Sequence, residues 1–263
     1  MKTCTFSIAD SIIKKINNDA GGLRMYDVYS RMELLLGQTG VDRLGRAQIA
    51  VFGLGGVGSY AVEALARCGV GSLTLVDHDV VSATNINRQL FALHSTIGRK
   101  KVQVAKERIA DINEDAVVHT YETFFSAETA GLFDFSSYDY IVDAVDTVSA
   151  KILLIEKAKA CNKPVISCMG TGNKLDPSCF QIADIAKTSV CPLAKVMRTE
   201  LKKRKIKKVK VLFSTEIAPK EKKRRMGLKE EKVQTEETRP STGRPVPSSI
   251  SFVPGVAGLM IAG

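Results

Sequence analysis

No stretch of the 263-residue chain reaches the roughly 18 to 20 consecutive apolar residues that a bilayer-spanning helix needs. The N-terminus also lacks the apolar core followed by small residues that marks a secretory signal. Both absences predict a soluble, cytoplasmic protein. No internal repeat is visible. Six cysteines (Cys4, Cys68, Cys161, Cys168, Cys179 and Cys191) are scattered without a single C-x-x-C pair, so neither a zinc site nor a disulfide framework is indicated. Buried thiols behaving as small hydrophobes are the expectation for each. Cys191 stands out only because it precedes Pro192 at an expected helix start, where a thiol pKa is lowered. A Tyr-x-x-x-Lys pair is absent too, which removes the commonest proton relay of short-chain dehydrogenases.

At 44% apolar and 25% charged, the composition is that of a globular protein able to bury a substantial core. The net charge of +10 is unevenly placed: 18 of the 38 Lys/Arg but only 7 of the 28 Asp/Glu lie between Lys195 and Arg244. Such runs are usually solvated faces. Cations that meet phosphates nevertheless release counterions and bind nucleic acid, which makes Lys202–Lys210, with Lys222–Arg225, a candidate RNA surface.

Apolar residues recur at helical spacing over 7–20 and 26–38, the latter with Met32, Leu35 and Leu36. Short β-branched runs then alternate with helical stretches. Strands are expected at 48–52, 73–76, 116–120, 140–142, 164–167, 180–184 and 210–214. Helices are expected at 57–68, 101–112, 149–161 and 192–203, with an apolar helix opening at 256–263. The alternation predicts an α/β fold, a doubly wound and mostly parallel sheet of Rossmann type. One domain is expected over 1–263, with a nucleotide-binding core at 26–170 and a sheet extension at 171–263. Residues 217–248 combine four prolines with charges and few apolar groups, so a mobile loop is expected there.

Gly53-Leu54-Gly55-Gly56-Val57-Gly58 follows the first strand and opens a helix. Glycines in that context let backbone amides approach phosphate at the positive end of a helix. Asp77, 19 residues after Gly58 at the end of the second strand, is placed to accept hydrogen bonds from ribose hydroxyls. The fingerprint alone fits NAD as well as ATP. The basic groups of Asn85-Ile86-Asn87-Arg88-Gln89 and Gly98-Arg99-Lys100-Lys101 favour the triphosphate, whose charge is larger. Asp143-Ala144-Val145-Asp146 closes a central strand at the edge where ligands bind in open α/β sheets. There Asp146 either ligates Mg²⁺ or merely caps the helix expected from Ser149.

These motifs occur in an order that resembles the ThiF/MoeB superfamily, relatives of the ubiquitin-activating enzymes. The matching string runs from Ser30-Arg31-Met32-Glu33-Leu34-Leu35-Leu36-Gly37 through the glycine loop, Leu75-Val76-Asp77-His78-Asp79, Asn85–Gln89 and Gly98–Val102 to Asp143–Asp146. The resemblance implies a homodimer that binds ATP and Mg²⁺. Gly53, Gly55, Gly56 and Gly58 would form the phosphate loop, Asp77 would hold the ribose with Asp79 a further nucleotide-binding residue, Arg88 and Lys101 would hold the phosphates, and Asn85 would lie near them. Asp146 would hold the metal, and Arg31 would reach the partner's triphosphate.

Within that superfamily the chain is similar to the tRNA threonylcarbamoyladenosine dehydratases through Met169-Gly170-Thr171-Gly172, Leu175-Asp176-Pro177, Ile182–Thr188, Cys191–Ala194 and Phe213-Ser214-Thr215-Glu216. This likeness implies ATP-dependent adenylation of the carboxylate of threonylcarbamoyladenosine beside the tRNA anticodon, followed by ring closure with loss of water. It also implies a link to a cysteine-desulfurase system. Two other readings stand beside it. One is adenylation of the C-terminal glycine of a ubiquitin-like sulfur carrier, although those relatives normally carry the two C-x-x-C pairs missing here. The other is an RNA-binding scaffold that keeps the nucleotide fold without turnover.

Overall fold

The computed structural model describes residues 28–217 and 247–263. The helix expected at 7–20, Cys4, the basic residues Lys222–Arg225 and nearly all of the loop expected at 217–248 lie outside the described residues. The chain divides into two compact units, one ending at Arg43 and one running from Leu44 to Gly263.

In the first unit, helix α1 (Ser30–Arg46, its last turn crossing into the second unit) contains Gly37 at φ 69° and ψ 164°, a break in the helical backbone that only glycine adopts cheaply. None of its residues is buried, and Leu34 and Leu35 are 89% and 83% exposed. The helix expected at 26–38 therefore starts later and runs longer.

The second unit is a seven-stranded sheet of β1 (Gln48–Phe52), β2 (Ser72–Val76), β3 (Val117–Tyr121), β4 (Tyr140–Asp143), β5 (Val165–Cys168), β6 (Phe180–Asp184) and β7 (Lys210–Ser214). Its order is β3-β2-β1-β4-β5-β7-β6. Every neighbouring pair is parallel except β6 and β7. Runs such as Ala50-Val51-Phe52 and Val165-Ile166-Ser167-Cys168 are buried throughout, as strands covered on both faces must be. The covering helices are α2 (Gly58–Arg67), α3 (Lys101–Ile112), α4 (Val148–Ala160), α5 (Pro192–Lys203) and α6 (Phe252–Ala262). The α6 helix begins four residues earlier than the apolar run suggests, because Pro254 falls in its first turn, where a missing N–H costs nothing.

Two packing features fix the sheet's ligand edge. Phe52, fully buried at the end of β1, packs its ring against Phe125, Phe133 and Phe135 at centroid distances of 5.0, 5.3 and 5.9 Å. On the other face α6 lies so close to α2 that a Cβ at Gly258 would stand 2.3 Å from the Val57 carbonyl oxygen. The strand order reverses direction between β1 and β4, which opens a crevice outside their carboxyl ends.

Candidate active site

That crevice holds a cavity of about 510 Å³. It is lined by Gly53, Gly55, Gly56, Asp77, Asp79, Asn85, Arg88, Lys101 and Asp146, nine residues drawn from five separate stretches of sequence. Gly58 is not among them. A Cβ at Gly58 would meet the Gly53 carbonyl oxygen at 1.8 Å, so its role is to let α2 close onto the loop rather than to face a ligand. Arg31 belongs to the first unit, on α1, where it is exposed.

The loop's path is set by backbone. Gly53 takes φ 90°, and a side chain there would strike the Ala144 carbonyl at 2.6 Å. Its N–H donates to Val76 O at 2.8 Å, while Ala144 N–H donates to Phe52 O at 2.8 Å, stitching the ends of β1, β2 and β4 together. Leu54 N–H donates to Asp77 Oδ2 at 2.7 Å, and Asp79 N–H donates to Asp77 Oδ1 at 2.8 Å. Each carboxylate oxygen keeps a lone pair for a ligand hydroxyl. The amides of Gly55, Gly56 and Val57 have no acceptor among the described residues. They precede α2, whose partial positive charge favours an anion at that end.

The cations are held differently from a simple phosphate ring. Lys101 is 4% exposed, with Nζ 2.7 Å from Asp79 Oδ2 and 3.9 Å from Asp77 Oδ1. Arg88 donates from Nη1 to Thr84 O at 2.8 Å and to Asn87 Oδ1 at 2.9 Å, which steadies a half-buried guanidinium at the cavity wall. Asn85 Oδ1 accepts from Ser82 N–H at 3.2 Å.

Asp146 is exposed and has no hydrogen-bond partner among the described residues. The N-cap of α4 is Thr147, without a side-chain cap, and its Oγ1 is buried without a partner, so Asp146 does not cap the helix. A free carboxylate facing the cavity suits Mg²⁺, a hard cation that takes one or two protein carboxylates and otherwise keeps water.

One group was missed by sequence reading. Beneath the cavity, Lys151 (1% exposed) donates to Asp143 Oδ1 at 3.1 Å and to Cys168 O at 2.7 Å. Ser167 Oγ bonds the other Asp143 oxygen. The signal was present: Lys151 shares its helical stripe with Leu154, Ile155 and Ala158, all buried, so a lysine there had to find a buried partner.

The cysteines divide. Cys168 lines the cavity, but burial pushes its thiol up to about 12, so it stays protonated. Cys191, the N-cap of α5, is 3% exposed. Cys68 and Cys161 are exposed, contrary to expectation, because each is the C-cap of a helix rather than part of its buried stripe. The run Lys202–Lys210 leads from the last turn of α5 to the first residue of β7 and so stands at the amino edge of the parallel strands, opposite the cavity's edge.

The profile of the ThiF family matches residues 29–263. The chain belongs to the ThiF family. Among ThiF-family relatives, the tRNA threonylcarbamoyladenosine dehydratase of Bacillus subtilis (strain 168) is 47% identical over 243 residues, covering 91% of this chain and 93% of that protein. The structure of E. coli tRNA N6-threonylcarbamoyladenosine dehydratase, TcdA, in complex with ATP superposes with a TM-score of 0.74 at 31% identity, over 89% of this chain and 91% of the other. Its complex with AMP matches at 0.74 and 30%, over 92% and 96%. The likeness therefore extends past the glycine loop common to dinucleotide folds, through the β6–β7 extension and α6.

Proposed function

We propose that the chain is an ATP-dependent tRNA threonylcarbamoyladenosine dehydratase, which adenylates the carboxylate of the modified nucleoside and closes it into a ring. The observation that carries this reading is the cavity at the β1/β4 switch point, where free amides, Arg88 and Lys101 face Asp77 and Asp146. Its likeness to a protein solved with both ATP and AMP supports an AMP-forming use of ATP.

A carboxylate is a poor electrophile because oxide leaves badly, whereas an acyl adenylate expels AMP. The carboxylate oxygen attacks the α-phosphorus and pyrophosphate departs. A nitrogen already in the nucleoside then attacks the acyl carbon, and AMP leaves with that oxygen. The chain's task is to orient and neutralise. Arg88 and the loop amides would hold phosphate oxygens, and Asp77 the ribose. Lys101, buried between Asp77 and Asp79, keeps two carboxylates in place while adding its charge to the pocket. Asp146 would hold Mg²⁺, which supplies charge neutralisation.

The cavity's lining presents Arg88 and Lys101 against Asp77, Asp79 and Asp146, with Lys151 already matched to Asp143. Two cations against three carboxylates cannot neutralise a triphosphate. This deficit supports both the metal and an arginine from elsewhere, which in the proposed homodimer is Arg31 of a second copy. The exposed Leu34 and Leu35 on α1 give such a dimer an apolar face to cover. The same family resemblance extends to a cysteine-desulfurase partner, which co-purification tests. The reading places the work in the cytoplasm, and no helix among the described residues is long and apolar enough to cross a membrane.

Replacing Arg88 or Asp146 by Ala is expected to lower AMP release on modified tRNA by about 100-fold or more while RNA affinity holds. Normal rates in both variants would remove the site assignment.

A further inference from the structure

The lysine-rich run before β7 is only half of a surface. Lys157 and Lys159, in the last turn of α4, are exposed beside it, and Lys159 Nζ donates to Lys208 O at 2.8 Å, joining the two segments. Lys163 follows directly on the same edge. Of the loop lysines, Lys205, Lys207 and Lys208 are all exposed. Among the described residues, only Lys203 and Arg204 of this ridge pair with carboxylates, Glu200 and Glu156.

Complementing a helix dipole explains lysines in the last turns of α4 and α5. It does not explain those outside the helices. Both helices end in the same doubly bonded turn. Lys163 N–H reaches Ala158 O at 2.8 Å and Asn162 N–H reaches Lys159 O at 3.0 Å; Ile206 N–H reaches Leu201 O and Lys205 N–H reaches Lys202 O, both at 3.0 Å. The residue after each cap takes a left-handed φ, 53° at Asn162 and 59° at Lys205, and Lys208 adds a third at 56°. Glycine or asparagine is the usual occupant there. Lys205, after a helix cap, and Lys208, in the loop, hold lysine at such left-handed positions instead, against backbone preference.

We infer that this ridge, at the amino edge of the sheet, docks the phosphate backbone of an RNA stem whose modified loop enters the cavity at the opposite edge. The inference rests on the proposed function and adds the part of the substrate that is held away from the reacting atoms. Along the 13-residue α4, Lys159 on the ridge lies eight residues beyond Lys151, which lines the cavity, a rise of about 12 Å at roughly 1.5 Å per residue. A single nucleotide seated in the cavity cannot bridge that span, whereas a stem running down the flank can. Lysines, with no aromatic or large apolar group exposed among them, suit sequence-independent contacts to phosphates. A protein partner would need an apolar centre to its interface.

The test compares wild type with the triple variant Lys157→Gln/Lys205→Gln/Lys207→Gln, using full-length tRNA carrying threonylcarbamoyladenosine and a short hairpin of the modified loop. Melting temperature checks that the variant is folded, as expected for three exposed sites. For full-length tRNA the variant is expected to raise KM about tenfold at low salt, leave kcat unchanged, and flatten the slope of log affinity against log salt by roughly 2 to 3. The hairpin is expected to show no difference. Equal KM and equal salt slopes for wild type and variant on full-length tRNA would overturn the inference and leave the ridge to an acidic protein or to solvent. If wild type releases no AMP with any RNA, the proposed function falls instead, and filter binding of the same tRNA still decides whether the ridge holds a stem.

Discussion

Lys151 Nζ sits 3.1 Å from Asp143 Oδ1 beneath the nucleotide cavity, an ion pair with both side chains essentially inaccessible to water. Such a pair contributes little net stability over an apolar substitute, yet breaking it strands one buried charge. Lys151→Met is expected to lower unfolding free energy by roughly 3 to 5 kcal/mol. The double variant Lys151→Met/Asp143→Leu is expected to be more stable than the single one. Urea unfolding of wild type, both single variants (Lys151→Met and Asp143→Leu) and the double variant checks this; a double variant at the sum of the two single losses would contradict it.

Two glycines of one loop are expected to respond oppositely to a methyl group. At Gly58 the added Cβ would stand 1.8 Å from a backbone oxygen, so Gly58→Ala is expected to cost about 3 kcal/mol or more of stability. At Gly55 it would meet nothing nearer than Gln89 Nε2 at 3.9 Å, on the cavity side. Gly55→Ala is therefore expected to keep the wild-type melting temperature and weaken ATP binding at least about tenfold, since the methyl occupies space meant for phosphate. Calorimetry of unfolding and of ATP binding separates the two effects.

The sheet was legible because buried parallel strands write themselves as short apolar runs between amphipathic helices. The strands at 48–52, 180–184 and 210–214 and the helices at 101–112 and 192–203 could be read to the residue. The cavity's glycines, acids and cations were legible because loop chemistry at strand ends is local. What escaped notice depends on contacts distant in sequence. Lys101 read as a free cation at the cavity, but it is already paired with Asp79, 22 residues away, and is buried in the wall. Lys159 and Lys208 are 49 residues apart, and only the parallel return of β5 and β7 sets them side by side.

Glu63 clamps α2 to α3 through Arg108, whose Nε and Nη2 donate to its two oxygens at 2.6 and 2.8 Å, and Arg67 Nε adds a third bond at 2.8 Å. Burial raises the Glu63 pKa, but these bonds outweigh it and hold the carboxyl below its ordinary 4.5. A depressed folded value gives stability that is present above pH 4.5 and lost as pH falls through the folded value. Arg108→Ala is expected to cost about 1 kcal/mol at neutral pH, solvent around the half-exposed Arg108 screening the pair. That difference is expected to vanish in acid, as urea titrations across pH will show; a pH-independent gap would contradict the assignment.

The most direct test of the chemistry follows one oxygen. With ¹⁸O in the carboxylate of the modified nucleoside, a single turnover with ATP is expected to deliver one labelled oxygen to AMP, because that oxygen becomes the bridge to the α-phosphorus before the ring closes. Label appearing in inorganic phosphate alongside ADP, or product formed without AMP, would contradict activation at the α-phosphate.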